Sequence, residues 1–177
     1  MRDIEGVDKA IQKIRPYMPE IEENFEREND RFKSLLAQDH DLIGRVLKCH
    51  LIVENYLDRF LEAHLKISNL ADAKLGFFQK VQLLPSEGHA VAFVKPGISK
   101  LNSVRNKFGH SLMPDLNISE LDPMLQVLHL ARPSTTFEDP VDAIEAFTTV
   151  ACTWLLVRPS HLQEVWDDAF ATVRFGL

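Results

Sequence analysis

The stretch VRNKFGHSL, residues 104–112, sets Arg105 and His110 five residues apart, with Asn106 beside the arginine and Gly109 directly before the histidine. Those side chains suit phosphodiester chemistry. A guanidinium is a permanent cation whose fork of donors fits two nonbridging phosphate oxygens. An imidazole titrates near neutrality and can move the proton that such a reaction transfers.

Spacing alone is weak evidence, because Arg-x-x-x-x-His occurs three times, as Arg45/His50, Arg59/His64 and Arg105/His110. Within a continuous helix a five-residue step turns two side chains about 140° apart, which keeps them off one phosphate. Arg45/His50 and Arg59/His64 fall inside one long helical pattern. At Arg105/His110, Gly109 is expected to adopt a left-handed conformation, end the helix and release His110 toward Arg105. The negative end of the helix dipole there also favours a charged imidazolium.

The elements that must position these residues read as helices. The 41–66 stretch carries Ile43, Leu47, Leu57, Leu61 and Leu65 along one face, with Asp39 or Asp41 as its cap. His50 and Glu54 fall in the middle of that face, four apart and within mutual reach. A buried carboxylate is costly unless paired. Arg105 projects among Ile98, Leu101 and Phe108, so it is the expected partner of Glu54, with His50 nearby. The plain alternative is a buried ion pair that orients two helices and does nothing else.

Around these lie a short helix over about 4–14, one starting near Pro19 with Ile21, Phe25, Phe32 and Leu35 as its apolar stripe, and one over about 70–83 stopped by Pro85. Pro96 opens the helix that Gly109 should close. Another begins at Ser119 with Pro123 in its first turn, residues 131–139 form a loop, and Asp139-Pro140 starts a helix reaching about 157. Ser160 and Gln163 form a capping-box pattern for a last helix, 161–175, closed by Gly176. No strand-like alternation, repeat or low-complexity linker is present. The expectation is an all-α, single-domain antiparallel helical bundle over 1–177, with a core at about 41–112 and additional flanking helices.

Composition agrees. The 177 residues are 45% hydrophobic and include only seven glycines, which favours helices over a turn-rich β architecture. The net charge of −6 is uneven: residues 73–114 hold six Lys/Arg and one acid, Glu87, a local charge of +5, whereas the last 63 residues are acidic. An acidic C-terminal part opposes a helix-turn-helix DNA reader. Cys49 and Cys152 sit in apolar helical patterns and read as buried free thiols. MRDIEGVDKA has no apolar leader pattern, and 141–157, the longest apolar run, carries Asp142 and Glu145; a cytoplasmic protein without a membrane span is expected. No Cys-x-x-Cys, His-Glu-x-x-His, glycine-rich phosphate loop or Gly-x-Ser-x-Gly occurs, so neither a metal nor another cofactor is expected. Trp154 and Trp166 read as core, and the Phe77-Phe78 pair as core or dimer interface.

VRNKFGH, following LIVENYLDRFL in the long helix and the intervening LGFFQKVQLL, resembles the HEPN superfamily (higher-eukaryote and prokaryote nucleotide-binding domains) over roughly 41–112. The pattern is also similar to the mannitol-operon repressor branch, with Arg-Asn-x-x-x-His after a comparable long helix. The resemblance implies a dimeric helical bundle and, in many members, a metal-independent endoribonuclease of toxin–antitoxin or phage-defence systems. On that reading the RNA 2′-OH attacks the adjacent phosphate. His110 serves as general base or acid and Arg105 holds the phosphate. Asn106 orients the histidine or the substrate, Glu54 and His50 support the site, and Lys100 and Lys107 contact nucleic acid. A homodimer would bring two His and two Arg together. RNA and an antitoxin or other defence protein are the implied partners. Leu112 stands where some toxin members carry a modifiable tyrosine, which argues against that form of regulation. The alternatives are a non-enzymatic HEPN-fold regulator like the mannitol-operon repressor group, and an unrelated helical bundle used for protein interaction.

Overall fold

The computed structural model describes residues 12–36, 40–111 and 115–171, and every regular element among them is helical. The chain divides into two compact units, Met1–Asp39 and His40–Leu177. The first unit contains α1, Met18–Leu36, entered through a single 3-10 turn, Arg15–Tyr17, in which Pro16 fits because a first helical turn needs no N–H from it. The helix expected over 4–14 lies largely outside the described residues, as does the stop at Gly176.

The second unit carries six α-helices among its described residues: α2 His40–Leu65, α3 Phe77–Gln82, α4 Lys95–His110, α5 Asp122–Ala131, α6 Pro140–Trp154 and α7 Ser160–Phe170. The long α2 packs chiefly on α6 and along α4, while α5 packs on α4 and α6. Leu57, Leu61, Ile98, Leu101, Leu121, Met124, Ile144 and Phe147 are fully buried where these helices meet. Asp139 starts α6 as expected, its carboxylate accepting the Val141 N–H at 2.7 Å. At Gly97 the backbone of α4 lies close against α6. A Cβ on Gly97 would lie 2.3 Å from Cε2 of Phe147, so the aromatic ring occupies the space a side chain would need.

Several boundaries differ from the sequence reading. The 70–83 segment is not one helix. A 3-10 turn covers Leu70–Ala73, Lys74 is left-handed at φ 50°, and Gly76 is extended before α3 begins. The Gly76 N–H donates to Gln79 Oε1 at 2.8 Å, giving α3 an N-terminus of its own. At Ser119 the chain makes a 3-10 turn, Ile118–Leu121, and α5 starts only at Asp122, with Pro123 in its first turn. At the last helix Pro159, rather than Ser160, occupies the cap position, and Gln163 Nε2 donates to Asp167 at 2.7 Å. Finally, α4 runs through Gly109 to His110, and Gly109 has no positive φ. The expected left-handed helix end is therefore absent. Ser111 leaves the helix in an extended conformation that any residue can adopt, its N–H reaching Lys107 O at 3.0 Å.

Candidate functional site

The buried face of α2 is rotated from the stripe expected for it. Val46, Cys49, Val53, Leu57 and Phe60 are buried, whereas Leu65 is exposed. At 100° per residue the true centre lies about 60° from the Ile43–Leu61 line. His50 consequently enters the core, at 7% exposure, and Glu54 falls on its border, half-buried.

Glu54 does need a partner, and it has one, but not Arg105. Lys80 of α3 reaches across to it at 2.9 Å and to Asp58, one turn further along α2, at 2.7 Å. Lys80 is itself buried at 8%. Burial works against its charge, but the Asp58 and Glu54 carboxylates outweigh that and hold the ammonium above its ordinary pKa. The reasoning applied to Arg105 points equally to Lys80, a cation between Phe77 and Val81 in an apolar stripe of α3. Lys80 was thus a candidate by the same argument, with nothing in the sequence to choose it over Arg105.

His50 lies beneath this pair. Its ring packs on Phe77 with centroids 4.0 Å apart, and Nε2 is buried without a hydrogen-bond partner. Burial pushes its pKa below the ordinary value; the Glu54 charge and a hydrogen bond with the Asn102 side chain act in the opposite direction, while Arg105 and Lys80 add to the lowering. A neutral structural imidazole results. Asn102, on α4, carries no motif signal in the sequence.

Arg105 is half-buried in the penultimate turns of α4 and is left without a carboxylate. Its Nη1 donates to Oδ1 of Asn106 at 3.2 Å, and it forms no ion pair among the described residues. The same Nη1 lies 3.6 Å from where a Cβ on Gly109 would stand. Gly109 projects between the directions of Arg105 and His110 on the helix wheel. The guanidinium thus crosses the bare glycine toward the face shared by Asn106 and His110, which stand four residues apart. Gly109 contributes an open surface rather than a chain reversal. Asn106, Gly109 and His110 are exposed.

Two other cations raised by the sequence are committed. Arg45 binds Asp142 at 2.6 Å and Glu145 at 2.9 Å, both on α6; those hydrogen bonds raise its already high pKa, and the Arg45/His50 pair is thereby occupied in structure. Lys107 is held by both oxygens of Glu120 at 3.0 Å, so a nucleic-acid phosphate there must displace a carboxylate. The Lys107 hydrogen bond, followed by the Asn117 N–H, holds Glu120 below its ordinary pKa. Lys100 is half-buried, and its charge also acts on Glu120. No cluster of metal-ligating side chains occurs among the described residues, nor does any helix there have the length and apolarity to cross a membrane.

The described residues form an all-α fold in which Arg105, half-buried and without an ion pair among them, lies near an exposed helix end. Comparison of the chain with protein-family models, curated proteins and solved structures finds no match in any of the three.

Proposed function

We propose that this chain is a HEPN-type, RNA-acting domain whose Arg105 holds a phosphate for metal-independent cleavage, in the manner of the endoribonucleases of toxin–antitoxin and phage-defence systems. One observation carries the reading. Arg105 is half-buried, donates to the neutral Asn106 amide and forms no ion pair among the described residues, while Glu54, the partner the sequence suggested for it, is held by Lys80. A partly desolvated guanidinium without a counterion is a strong site for an anion, and its fork matches the nonbridging oxygens of a phosphodiester.

In the proposed reaction the RNA 2′-OH attacks the adjacent phosphorus as a general base takes its proton. The P–O5′ bond breaks as a general acid protonates the leaving oxygen, leaving a 2′,3′-cyclic phosphate. Arg105 stabilises the charge that builds on the nonbridging oxygens. His110 supplies one proton-transfer group, and His110 of a second copy supplies the other across a dimer. Asn106 accepts from Arg105 through its oxygen, which leaves its amide N–H groups for the substrate. His50 and Glu54 support the site from beneath: His50 through Asn102, and Glu54 by retaining Lys80.

A second reading is a non-catalytic regulator or interaction module of the same fold. It is favoured by the helical continuation through His110, which sets the His110 and Arg105 directions about 140° apart on one chain. Incubating single-stranded RNA with wild type, Arg105→Ala and His110→Ala in the presence of chelator separates the two. Cleavage lost in both variants supports the enzyme. RNA retention without cleavage, weakened only by Arg105→Ala, supports the binding module. Neither binding nor cleavage sinks the RNA-acting reading and leaves a protein-interaction module.

A further inference from the structure

A second site lies away from Arg105, where the C-terminal end of α2 faces the segment joining α6 to α7. It is a cleft of about 520 Å³ whose wall includes Phe60, Ala63, Leu156 and Val157, with His64, Lys66 and Arg158 among its polar groups. We propose that this cleft binds a small organic monoanion, a carboxylate carried on an apolar, ring-sized body.

The argument rests on which polar groups are already spent. Asp167 is engaged: Oδ1 accepts from Gln163 at 2.7 Å and lies 3.6 Å from Nε2 of His89. His89 Nδ1 accepts the Val91 N–H at 3.1 Å, so in the neutral ring Nε2 carries the proton and points at that carboxylate. Arg158 is fixed by its stack on Trp166, 4.1 Å to the ring centroid. It donates to Leu156 O and Thr153 O at 3.3 and 3.1 Å, one bond from each terminal nitrogen. Its remaining N–H groups, the Lys66 ammonium and the His64 ring nitrogens make no hydrogen bond or ion pair among the described residues. Burial lowers the pKa of Arg158, and the nearby Asp167 carboxylate acts in the opposite direction without cancelling it. Unspent capacity at the cleft is therefore the Lys66 ammonium, the remaining Arg158 N–H groups and the His64 ring, set against one carboxylate, Glu164, that also makes no hydrogen bond or ion pair among the described residues. Glu164 and Asp167 also line it, so Lys66 and Arg158 are balanced by two carboxylates, and a second negative charge on the ligand doubles its repulsion from them.

The backbone gives an independent sign. Lys66 closes α2 in a left-handed conformation, φ 55°, with Ile67 N–H bonding back to Glu62 O at 3.1 Å. Glycine is the unstrained residue at such a helix end. The lysine side chain is held there at a conformational cost, as groups at binding sites often are.

Trp154 and Trp166 are the chain's two tryptophans, and Arg158 lies against Trp166, so intrinsic fluorescence reports on the site. Titration of the full chain with benzoate should saturate. Acetate, which lacks the body, benzyl alcohol, which lacks the charge, and phenyl phosphate, a dianion, should each bind at least about tenfold more weakly. Lys66→Gly should raise the melting temperature and yet weaken benzoate by about tenfold, as should Arg158→Met. Lys66→Gly relieves strain, so a folding defect cannot produce its affinity loss. The inference is overturned if benzoate does not saturate, if any of the three other probes matches it, or if Lys66→Gly keeps full affinity.

Discussion

Two glycines of α4 should respond to alanine with opposite signs. At Gly97 the added methyl would stand 2.3 and 2.4 Å from Cε2 and Cζ of Phe147, a residue with no exposed surface. Ordinary carbon contacts are about 3.5–4.0 Å. The ring or the helix must therefore move by more than about 1 Å inside a close-packed core. Overpacking of this kind costs on the order of 3 kcal/mol, the upper part of its usual range. Helix propensity returns about 1 kcal/mol when alanine replaces glycine. The net loss is about 2 kcal/mol, or a fall of roughly 4–8 °C in Tm for a chain of this size. At Gly109 the nearest atom to the methyl is Arg105 Nη1 at 3.6 Å, an ordinary contact, and φ is not positive. Gly109→Ala should stabilise by about 0.5–1 kcal/mol. Urea unfolding of both variants measures this, and Phe147→Leu in the Gly97→Ala background should recover part of the loss. The packing argument fails if Gly97→Ala is neutral or if Phe147→Leu adds no rescue. The helix-end argument fails if Gly109→Ala destabilises, as it would at a left-handed position.

Three further outcomes follow from buried groups. Lys80→Met strands Glu54 and Asp58 beside an apolar side chain. Because both carboxylates keep some solvent access, urea unfolding should show a loss of about 1–3 kcal/mol. The folded pKa of Lys80 is raised above 10.5, so its contribution is complete below 10.5 and fades as pH rises through the folded value; alkaline unfolding curves should show that loss in wild type and not in Lys80→Met. His50 behaves in the opposite sense. Its folded pKa lies below 6.5, so the unfolded chain takes the proton first and stability falls as pH drops from about 6.5 toward the folded value; His50→Leu should flatten that part of a pH–Tm profile. Burial pushes the Cys152 thiol up to about 11, so iodoacetamide at pH 8 should leave Cys152 unlabelled until denaturant is added, as mass spectrometry would show.

The helical architecture was legible because α2, α4 and α6 bury long 3.6-residue patterns bounded by Pro and Asp. Local chemistry that depends on partners was less so. The need of Glu54 for a cation follows from its place on an apolar face, yet sequence cannot choose between two cations on different helices. Lys80 wins because the short α3, set off by the Gly76 turn, lays it against α2. A 70–83 helix without that break hid this geometry. Gly109 misled for a related reason. Glycine near a helix end usually marks a left-handed cap, but with no Cβ it also leaves room for the side chain one turn back, and here Arg105 uses that room. The role of the glycine and the pairing of the glutamate required the packing of three helices.

The most direct test of the central claim is the affinity of a short single-stranded RNA for wild type and Arg105→Ala, measured as a function of salt, beside Lys80→Ala as a structural comparison. An uncommitted Arg105 holding one phosphate predicts that Arg105→Ala melts close to wild type, binds RNA about tenfold or more weakly, and has a log K–log salt slope shallower by roughly 0.7. Lys80→Ala should instead lose stability first. Equal affinity and an equal slope for wild type and Arg105→Ala would contradict the account.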